Sequence, residues 1–257
     1  MIELHGIYKY YNPGTVNEMC LFSDFNMTIR DGEFISVVGS NGSGKTSMLN
    51  IICGSIPIDR GRIMIGSEDI TVMPEFRRQR RIGRVYQNPA MGTCPTMTIL
   101  ENMSLADNKG KAFNLTWGTN KKRIEYYRES LKSLNLGLED KLHIPVGALS
   151  GGQRQAIALL MATMTPIEFL ILDEHTAALD PKTADLIMQL TERVVREKAL
   201  TTIMVTHNLR YAVEYGDRLV MMHQGGVVID KAGEDKKALI IDDILDQFNE
   251  ISIECGN

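Results

Sequence analysis

The sequence lacks a long apolar run, a paired-cysteine motif and an excess of basic charge. No stretch approaches the roughly 18 apolar residues that a membrane-spanning helix needs. Residues 1–11 mix charged and aromatic side chains, whereas a secretion signal needs an apolar segment in that place. The four cysteines are scattered, with no CxxC pair and no histidines at metal-ligand spacing. We therefore expect a cytosolic chain with reduced thiols that is neither secreted nor embedded in a membrane.

The charge balance argues against a nucleic-acid-binding protein. The chain has 28 lysine and arginine residues against 32 aspartate and glutamate residues, and its net charge is −4. Such a chain has no global attraction for a phosphate backbone, so we do not expect nucleic acid as a partner. One dense basic run reads either as a local nucleic-acid patch or, as is commoner, as a solvated face of a loop or helix. Its members are Arg77, Arg78, Arg80, Arg81 and Arg84.

Three short runs of consecutive apolar residues indicate strands covered on both faces, as in a parallel sheet. Residues 181–198, between the second and third runs, have the pattern and length of a crossover helix. Since ligands of open α/β folds bind at the carboxyl ends of the strands, we expect the polar residues there to meet. The first run, residues 34–38, is followed by a glycine-rich turn. The second, residues 169–172, is followed by Asp173 and Glu174, and the third, residues 201–205, by Thr206 and His207.

Residues 88–163 have a different character and indicate a helical insertion. They contain a loop with two prolines, then a polar stretch over residues 107–120, then helical sequence over residues 121–136. We therefore expect a helical subdomain between the first and second polar strand ends.

The C-terminal part of the chain predicts a hairpin and a helix. Residues 219–223 and 227–229 are apolar and flank a Gln-Gly-Gly turn, which is typical of a β-hairpin. After Gly233, apolar residues recur at helical spacing beside several acidic residues. This terminal helix either packs on its own domain or contacts a second copy or a regulatory partner. Its apolar residues are Ile241, Ile244, Leu245 and Phe248.

The glycine-rich turn after the first run matches the phosphate-binding pattern GxxxxGK[ST]. It has the strand before it and the helical residues 47–52 after it that this pattern requires. Its glycines let successive backbone N–H groups and the helix N-terminus face phosphates. Lys45 adds a point charge, and the Thr46 hydroxyl suits a Mg²⁺ ion. The expected phosphate-binding residues are Gly39, Ser40, Asn41, Gly42, Ser43, Gly44, Lys45, Thr46 and Ser47.

Two adjacent carboxylates end the second apolar run. Asp173 is placed to hold a magnesium ion, usually through water, while Glu174 can orient and polarise an attacking water molecule. Alone, the pair could equally be the acidic cap of a following helix. The phosphate-binding turn favours the catalytic interpretation.

The pentapeptide Leu-Ser-Gly-Gly-Gln at residues 149–153 precedes helical sequence over residues 154–163. It again points backbone N–H groups and a helix dipole outward, and alone it also fits an ordinary helix-entry turn. One phosphate-binding turn already accounts for one nucleotide. A second anion site is therefore explained if it faces the nucleotide of a second copy of the chain.

These motifs, in this order, resemble the ATP-binding cassette (ABC) family over residues 2–232. The resemblance implies an α/β P-loop NTPase fold with a mainly parallel sheet core, an antiparallel β subdomain and an inserted helical subdomain. It also implies a single ABC ATPase domain with three parts. These are a nucleotide-binding core of residues 1–87 and 164–233, a helical subdomain of residues 88–163 and a C-terminal helical extension of residues 234–257.

The resemblance implies roles for individual residues outside the phosphate-binding turn. Tyr11 resembles the aromatic residue that stacks on adenine, although Tyr8 and Tyr10 are neighbours that leave this assignment open. Gln87 resembles the glutamine that reaches the magnesium ion and the attacking water. His207 resembles the switch histidine that contacts the γ-phosphate.

The pentapeptide and the residues around Glu174 also match family elements. Ser150 and Gly152 resemble the signature groups that contact the ATP of the partner, and Asp180 resembles the loop residue that links the two sites. His175 departs from the family, which usually has proline after the glutamate. The implied signature is Ser150, Gly151, Gly152 and Gln153, the implied catalytic residues are Glu174, His207 and Gln87, and the implied magnesium ligands are Thr46, Gln87 and Asp173.

The family resemblance implies an ATPase at the cytoplasmic face of the cell membrane that works as a homodimer with an integral membrane permease, using ATP and Mg²⁺. Residues 12–18 and 173–180 resemble a bacterial subgroup proposed to import aromatic amino acids such as tryptophan or tyrosine, together with an extracellular binding lipoprotein. An exporter ATPase is an alternative. A cassette protein acting on nucleic acid or ribosomes is a further one, although such proteins tend to have a second cassette or long coiled coils. The pentapeptide disfavours a kinase or a small GTPase.

Overall fold

The computed structural model describes residues 1–111 and 118–254 of the chain. The strands of this part are β1 (Ile2–Tyr11), β2 (Met19–Ile29), β3 (Phe34–Gly39), β4 (Arg60–Ile65), β5 (Glu68–Asp69), β6 (Ile82–Val85), β7 (Phe169–Asp173), β8 (Thr201–Val205), β9 (Arg218–His223) and β10 (Gly226–Ala232). The helices are α1 (Lys45–Cys53), α2 (Glu75–Arg78), α3 (Ile99–Asp107), α4 (Ile124–Lys132), α5 (Gly151–Thr163), α6 (Pro181–Glu197), α7 (Leu209–Glu214), α8 (Gly233–Lys237) and α9 (Ile241–Glu254).

The chain forms two compact units. The first unit consists of Met1–Gln79 and Ala199–Asn257, and the second unit is Arg80–Lys198. The second unit is therefore inserted into the sequence of the first. The finer division expected from the sequence, with borders after residues 87, 163 and 233, stays a prediction.

The first unit contains an antiparallel sheet in the strand order β2-β1-β4-β5. Strand β1 is its centre, since Ile2 pairs with Ile29 on one side and with Ile65 on the other. The apolar side chains of β1 that point to the core are fully buried, for example Ile2 and Ile7. The register of β1 shifts several times along β2, so apolar residues do not alternate evenly along the sequence. This sheet confirms the antiparallel β subdomain.

The first unit also contains the parallel strands that carry two of the polar strand ends. Strand β3 pairs in parallel with β8 on one side and with β9 on the other, and β10 runs antiparallel to β9. All residues of β3 and β8 are buried, as expected for strands covered on both faces. Strands β9 and β10 confirm the predicted hairpin.

Helices α8 and α9 pack on the first unit, which confirms that the terminal helix packs on its own domain. Ile244 is fully buried in an apolar cluster whose other buried members are Val38, Ala212, Leu219, Met221 and Ile229. Lys236 of α8 is also buried, and its Nζ donates hydrogen bonds of 2.6 to 2.9 Å to the carbonyl oxygens of Val213, Tyr215 and Gly216. An apolar contact and a buried ammonium group thus both join the C-terminal segment to this unit.

The second unit combines the parallel strand pair β6 and β7 with helices α3 to α6. The predicted crossover helix is α6. Helical sequence predicted over residues 121–136 gives a shorter α4, because the chain turns through Asn135 in the left-handed conformation at φ 55°. Helix α3 was not predicted, and the polar stretch expected at residues 107–120 lies partly outside the described residues.

The arginine run is not a single solvated face. Arg78 is buried and donates to the carbonyl oxygens of Ile51 and Ile52, among others, within the first unit. In the second unit, Arg81 forms a two-pronged contact with Glu168, with N–O distances of 2.5 and 2.7 Å. Internal carbonyl partners explain Arg78, for which the solvated-face interpretation is wrong, whereas the Arg81–Glu168 ion pair is solvent-exposed.

Cys20, Cys53 and Cys94 are free thiols, as expected, while Cys255 lies outside the described residues.

Within residues 1–111 and 118–254, the structure has no helix that is both long enough and apolar enough to cross a membrane.

Candidate functional site

The turn between β3 and α1 has a shape that only glycine permits. Gly39 adopts a φ of 151°, and a Cβ atom there would lie 2.2 Å from the carbonyl oxygen of Met222. Gly44 has a φ of 103°, and its Cβ would lie 2.9 Å from the Phe22 ring. The backbone therefore curls tightly against β9 and β2, and the glycine positions of the sequence pattern are required by this fold.

The Lys45 side chain lies inside the phosphate-binding turn and binds its carbonyl groups. Its side chain is almost fully buried, and Nζ donates to the carbonyl oxygens of Gly39 at 2.8 Å and Ser40 at 2.9 Å. Because the C=O and N–H groups of a trans peptide point in opposite directions, the following N–H groups of Ser40 and Asn41 point away from Nζ. The lysine thus orients the backbone N–H groups of the turn, which form a cradle of hydrogen-bond donors.

The first turn of α1 has no side-chain cap. Gly44 is the N-cap residue and offers no side-chain oxygen, and no acidic residue lies in the first turn. The backbone N–H groups there and the positive end of the helix dipole are suited to an anion. Thr46 is exposed in this same turn. These features fit the phosphate groups of a nucleotide.

Among the three candidate tyrosines, Tyr11 contacts the start of α1. Its hydroxyl donates to Ser47 Oγ at 3.3 Å. Tyr10 instead lies beside Cys20 of β2, whose thiol raises the pKa of the Tyr10 hydroxyl through a hydrogen bond. The geometry therefore favours Tyr11 over Tyr10 for a contact beside the phosphate-binding turn.

His207 lies at the same end of the parallel strands as the phosphate-binding turn. It follows β8, and Val205 of β8 is level with Val37 of β3. The Thr206 N–H donates to the Val37 carbonyl oxygen at 3.1 Å, which fixes the chain just before the exposed His207. The first unit thus brings His207 and the phosphate-binding turn to neighbouring strand ends.

The second unit brings Gln87 and the two carboxylates to neighbouring strand ends in the same way. Val85 of β6 is level with Leu172 of β7, so Gln87, two residues after β6, and Asp173, the last residue of β7, lie at the carboxyl ends of a parallel pair. Arg84 Nη2 lies 2.6 Å from Asp173 Oδ2, and both side chains are largely buried. Asp173 is therefore held in place by a guanidinium group of its own unit.

Glu174 occupies an uncommon backbone conformation. Its φ is 49°, in the left-handed region that non-glycine residues rarely adopt. Its carbonyl oxygen accepts a hydrogen bond of 3.0 Å from the Ala177 N–H, which forms a turn directly after β7. His175 is fully buried behind this turn, and desolvation lowers the pKa of its imidazole to about 4. The imidazole is therefore neutral at physiological pH.

The signature pentapeptide forms the first turn of α5 rather than a loop before it, which corrects the predicted helix start at residue 154. Ser150 is the N-cap: its Oγ accepts from the Gln153 N–H at 3.3 Å, and Gln153 Oε1 accepts from the Ser150 N–H at 3.2 Å. This reciprocal pair is a capping box. The exposed Ser150 hydroxyl and the N–H groups of Gly151 and Gly152 remain at the helix end.

The signature packs against the start of α6. A Cβ atom at Gly152 would lie 2.2 Å from Thr183 Cγ2, and one at Gly151 would lie 3.3 Å from Leu179 Cδ2. Asp180 caps α6, because its Oδ1 accepts from the Thr183 N–H at 3.1 Å, and this hydrogen bonding lowers the pKa of the Asp180 carboxyl. The second unit therefore joins the signature and the Asp180 loop in one packed arrangement.

Comparison with known proteins identifies the family. A family profile described as ABC transporter matches residues 22–177. The chain is 46% identical to a tyrosine transport ATP-binding protein of Clostridioides difficile (strain R20291), over 96% of this chain and 98% of that protein. The chain belongs to the ABC transporter family.

Two further relatives are consistent with this membership. A spermidine/putrescine import ATP-binding protein of Haemophilus influenzae is 34% identical over 90% of this chain, which spans 57% of that relative's length. A dimeric ATP-binding cassette, solved in a post-hydrolysis state bound to ADP and Pi, is 30% identical and superposes with a TM-score of 0.76, covering 90% of this chain and 98% of that one. The chain is accordingly a nucleotide-binding ATPase subunit of an ABC transporter, with the fold expected from the sequence.

The cassette contains two polar residues near the strand ends that sequence reasoning did not assign. Arg84 was placed in a basic run, and its pairing with Asp173 could not be deduced because 89 residues separate the two. Gln155 is a buried polar residue directly before the apolar stretch 156–162 of α5, and its Nε2 donates to the Tyr86 carbonyl oxygen at 3.0 Å. That contact fixes the residue directly before Gln87. A polar residue on the buried face of α5 is the signal that could have found it.

Proposed function

We propose that two copies of this ATPase enclose two ATP molecules and power an importer of an amino acid. Each site would combine the phosphate-binding turn of one copy with Ser150 and Gly152 of the other. This proposal rests on one observation: within residues 1–111 and 118–254, α1 and α5 both begin with an N-terminus suited to an anion, whereas one phosphate-binding turn is present there. A second copy gives the second N-terminus a ligand. The dimeric relative with ADP and Pi supports this arrangement.

The proposed ATP site assigns binding to the first unit. Gly39 to Ser47 hold the phosphates through backbone donors and the Lys45 ammonium group, and Tyr11 stacks on adenine beside Ser47. His207 contacts the γ-phosphate from the end of β8. These roles rest on the shape of the turn, on the uncapped α1 and on the resemblance to the family.

The proposed Mg²⁺ ion is held by Thr46, Gln87 and Asp173. Their hydroxyl, amide and carboxylate oxygens are the hard ligands that Mg²⁺ prefers, and Arg84 fixes the orientation of the Asp173 carboxylate. When bound, Mg²⁺ neutralises charge on the phosphates. Glu174 polarises the attacking water and accepts its proton. Asp180 links the two sites of the dimer.

The proposed partners are an integral membrane permease and an extracellular substrate-binding lipoprotein that acts through it. The ATPase would then sit peripherally on the cytoplasmic face of the membrane, and dimer closure would reach the permease through the helical subdomain near residues 88–102. The relative that is 46% identical over nearly the whole chain is named for tyrosine transport, which makes tyrosine the first cargo to test and tryptophan the second.

The hydrolytic mechanism is tested with Glu174→Gln, which keeps the size of the side chain but removes its charge. We expect hydrolysis to fall by about 10² to 10⁴, the typical effect of losing a general base, while ATP binding survives. ATP held without hydrolysis should then stabilise the dimer, which light scattering with and without ATP measures. The matched control is Glu129→Gln on the exposed face of α4, which should change neither property.

One outcome would contradict the shared-site mechanism directly. This is a Glu174→Gln protein that binds ATP and fails to hydrolyse it, yet stays monomeric even when its permease is present.

The cargo is tested by uptake of labelled tyrosine and tryptophan into cells that lack this subunit. We expect uptake of one of them to fall and to return when the wild-type gene is restored, but not when the Glu174→Gln gene is supplied. Unchanged uptake of both amino acids would refute the cargo assignment and leave the ATPase assignment intact.

A further inference from the structure

The left-handed backbone at Glu174 requires a structural cause. A non-glycine residue in this conformation is strained, and it persists where surrounding contacts hold it. The turn hydrogen bond from Ala177 N–H to the Glu174 carbonyl oxygen accounts for part of this hold. The side chain of the next residue, His175, makes a further contact beside this turn.

The His175 side chain joins this turn to the middle of α6. It is 2% exposed, and its Nε2 lies 3.2 Å from Thr191 Oγ1. Thr191 is itself fully buried, and its hydroxyl donates to the Ile187 carbonyl oxygen at 2.8 Å. The one proton of the Thr191 hydroxyl is therefore donated to Ile187 and cannot be donated to His175. Nε2 must therefore donate to Thr191 Oγ1, which fixes the tautomer with the proton on Nε2.

This arrangement connects a rigid helix to the residue after Glu174. Helix α6 begins at the Asp180 cap, six residues after Glu174, and Thr191 lies well inside it. The segment between β7 and α6 is thus fastened at His175 and at Asp180, both within the second unit. An apolar side chain of similar size would fill the space but could not donate a directional hydrogen bond.

We propose that His175 is a positioning residue: its hydrogen bond to Thr191 holds the strained Glu174 backbone and so fixes where the Glu174 carboxylate points. The proposal rests on the catalytic role of Glu174 proposed above. It gives a physical reason for a histidine at the position where the family usually has proline, since the Pro ring limits the backbone by itself and His175 does so through α6.

The test uses three variants in the full chain. His175→Leu removes the donor, Thr191→Val removes the acceptor with little change of shape, and the double variant removes both. We expect each single variant to lower kcat about threefold to tenfold, the effect of one net hydrogen bond, with the KM for ATP nearly unchanged. The double variant should lose no more than the larger single effect, because both changes break one contact. His175→Gln, which keeps a side-chain N–H donor, should recover most of kcat.

Two controls separate positioning from general stability. Thr163→Val removes a buried hydroxyl on α5 that donates to the Leu159 carbonyl oxygen at 3.0 Å, the same type of bond without a histidine partner. It should leave kcat unchanged at a similar loss of stability. Hydrogen exchange of the ligand-free chain supplies a second readout, since the Ala177 amide should exchange faster in Thr191→Val and not in Thr163→Val.

The outcomes distinguish this inference from the proposed mechanism. If Glu174→Gln loses hydrolysis while Thr191→Val and His175→Leu keep full kcat and normal Ala177 exchange, the positioning role is wrong and the mechanism stands. Additive losses in the double variant, or an equal kcat loss in Thr163→Val, would also overturn it. If Glu174→Gln itself hydrolyses ATP normally, the proposed mechanism fails first.

Discussion

Helices α1 and α5 both begin in glycine-containing segments that resemble anion sites, but their first turns are satisfied differently. Helix α1 starts at Gly44 with no side-chain cap, and Lys45 is folded back onto the carbonyl groups of the turn. Helix α5 starts at Ser150 with a complete capping box formed with Gln153. One helix end therefore leaves its donors to a ligand, and the other satisfies part of its own.

This difference suggests how the two ends divide the work of binding. Free N–H groups at a helix start are stabilised when an anion arrives, so α1 is suited to tight and lasting contact with phosphates. The capping box keeps the first turn of α5 formed without a ligand, so the signature can meet and leave the phosphate of a partner without unfolding. Changes at the two ends should accordingly have different effects on nucleotide affinity.

The largest effect on affinity is expected from Lys45→Ala at the α1 end. The change removes a buried ammonium group that holds the Gly39 and Ser40 carbonyls and that turns to the phosphates in the proposed ATP complex, so ATP affinity should fall about 10- to 100-fold. Equilibrium binding of a fluorescent ATP analogue measures this. Lys231→Ala, on the exposed part of β10, is the control and should bind normally. Near wild-type affinity in Lys45→Ala would mean that the α1 end is not the primary site.

A contrasting effect is expected from Ser150→Arg at the α5 end. The arginine removes the cap, places a cation at the positive end of the helix dipole and obstructs the surface offered to the partner. Hydrolysis should fall at least about tenfold, which is the effect of losing one charge-assisted hydrogen bond, while ATP affinity of the single chain stays within about twofold of wild type. Ser67→Arg, in the exposed turn between β4 and β5, is the control. Normal hydrolysis by Ser150→Arg would remove the signature from the site.

The smallest effect is expected from Gly152→Ala, and it concerns stability. The added methyl group would lie 2.2 Å from Thr183 Cγ2, so the free energy of unfolding should fall by about 1 to 3 kcal/mol. Adding Thr183→Ser removes Cγ2 and leaves Thr183 Cβ as the next atom, 3.7 Å away, so the double variant should recover most of the loss. Denaturant unfolding of both variants measures these changes in the free energy of unfolding. A double variant less stable than Gly152→Ala alone would show that the close approach to α6 is not the cause.

The sequence predicted those elements whose signal is local. Residues 34–38, 169–172 and 201–205 are consecutive apolar residues, and each gave a buried strand followed by polar residues. Helix α3 was not predicted, although Thr98 and Glu101 form a capping box at its start. The prolines before it are typical of a loop, and this signal outweighed the capping pattern. Strand β1 was not predicted, and its register against β2 shifts at several bulges, so its apolar residues do not alternate evenly.

The residues of the candidate site also divide into those with a local sequence signal and those whose partners depend on the fold. Glycines and Lys45 of the phosphate-binding turn follow from a motif with a fixed spacing, and they form the tight turn between β3 and α1, while their contacts with a nucleotide stay a prediction. The partners of Arg84 and His175 could not be predicted, since a guanidinium and an imidazole give the same sequence signal whether solvated or buried. Only the fold brings Asp173 and Thr191 to them.

Lys236 has a consequence for where this chain can be shortened. Its buried ammonium group binds three carbonyl oxygens in the last turn of α7 and directly after it, and a fragment ending at Gly233 would leave them without this donor and expose the apolar surface under Ile244. The Tyr215 oxygen keeps its bond from Ser36 Oγ, but a buried carbonyl left without any partner costs about 1 to 3 kcal/mol, against a total stability of about 5 to 15 kcal/mol. Protease cleavage or a cloning boundary upstream of α8 would therefore yield a protein prone to aggregate, even though every motif of the nucleotide site lies before that cut.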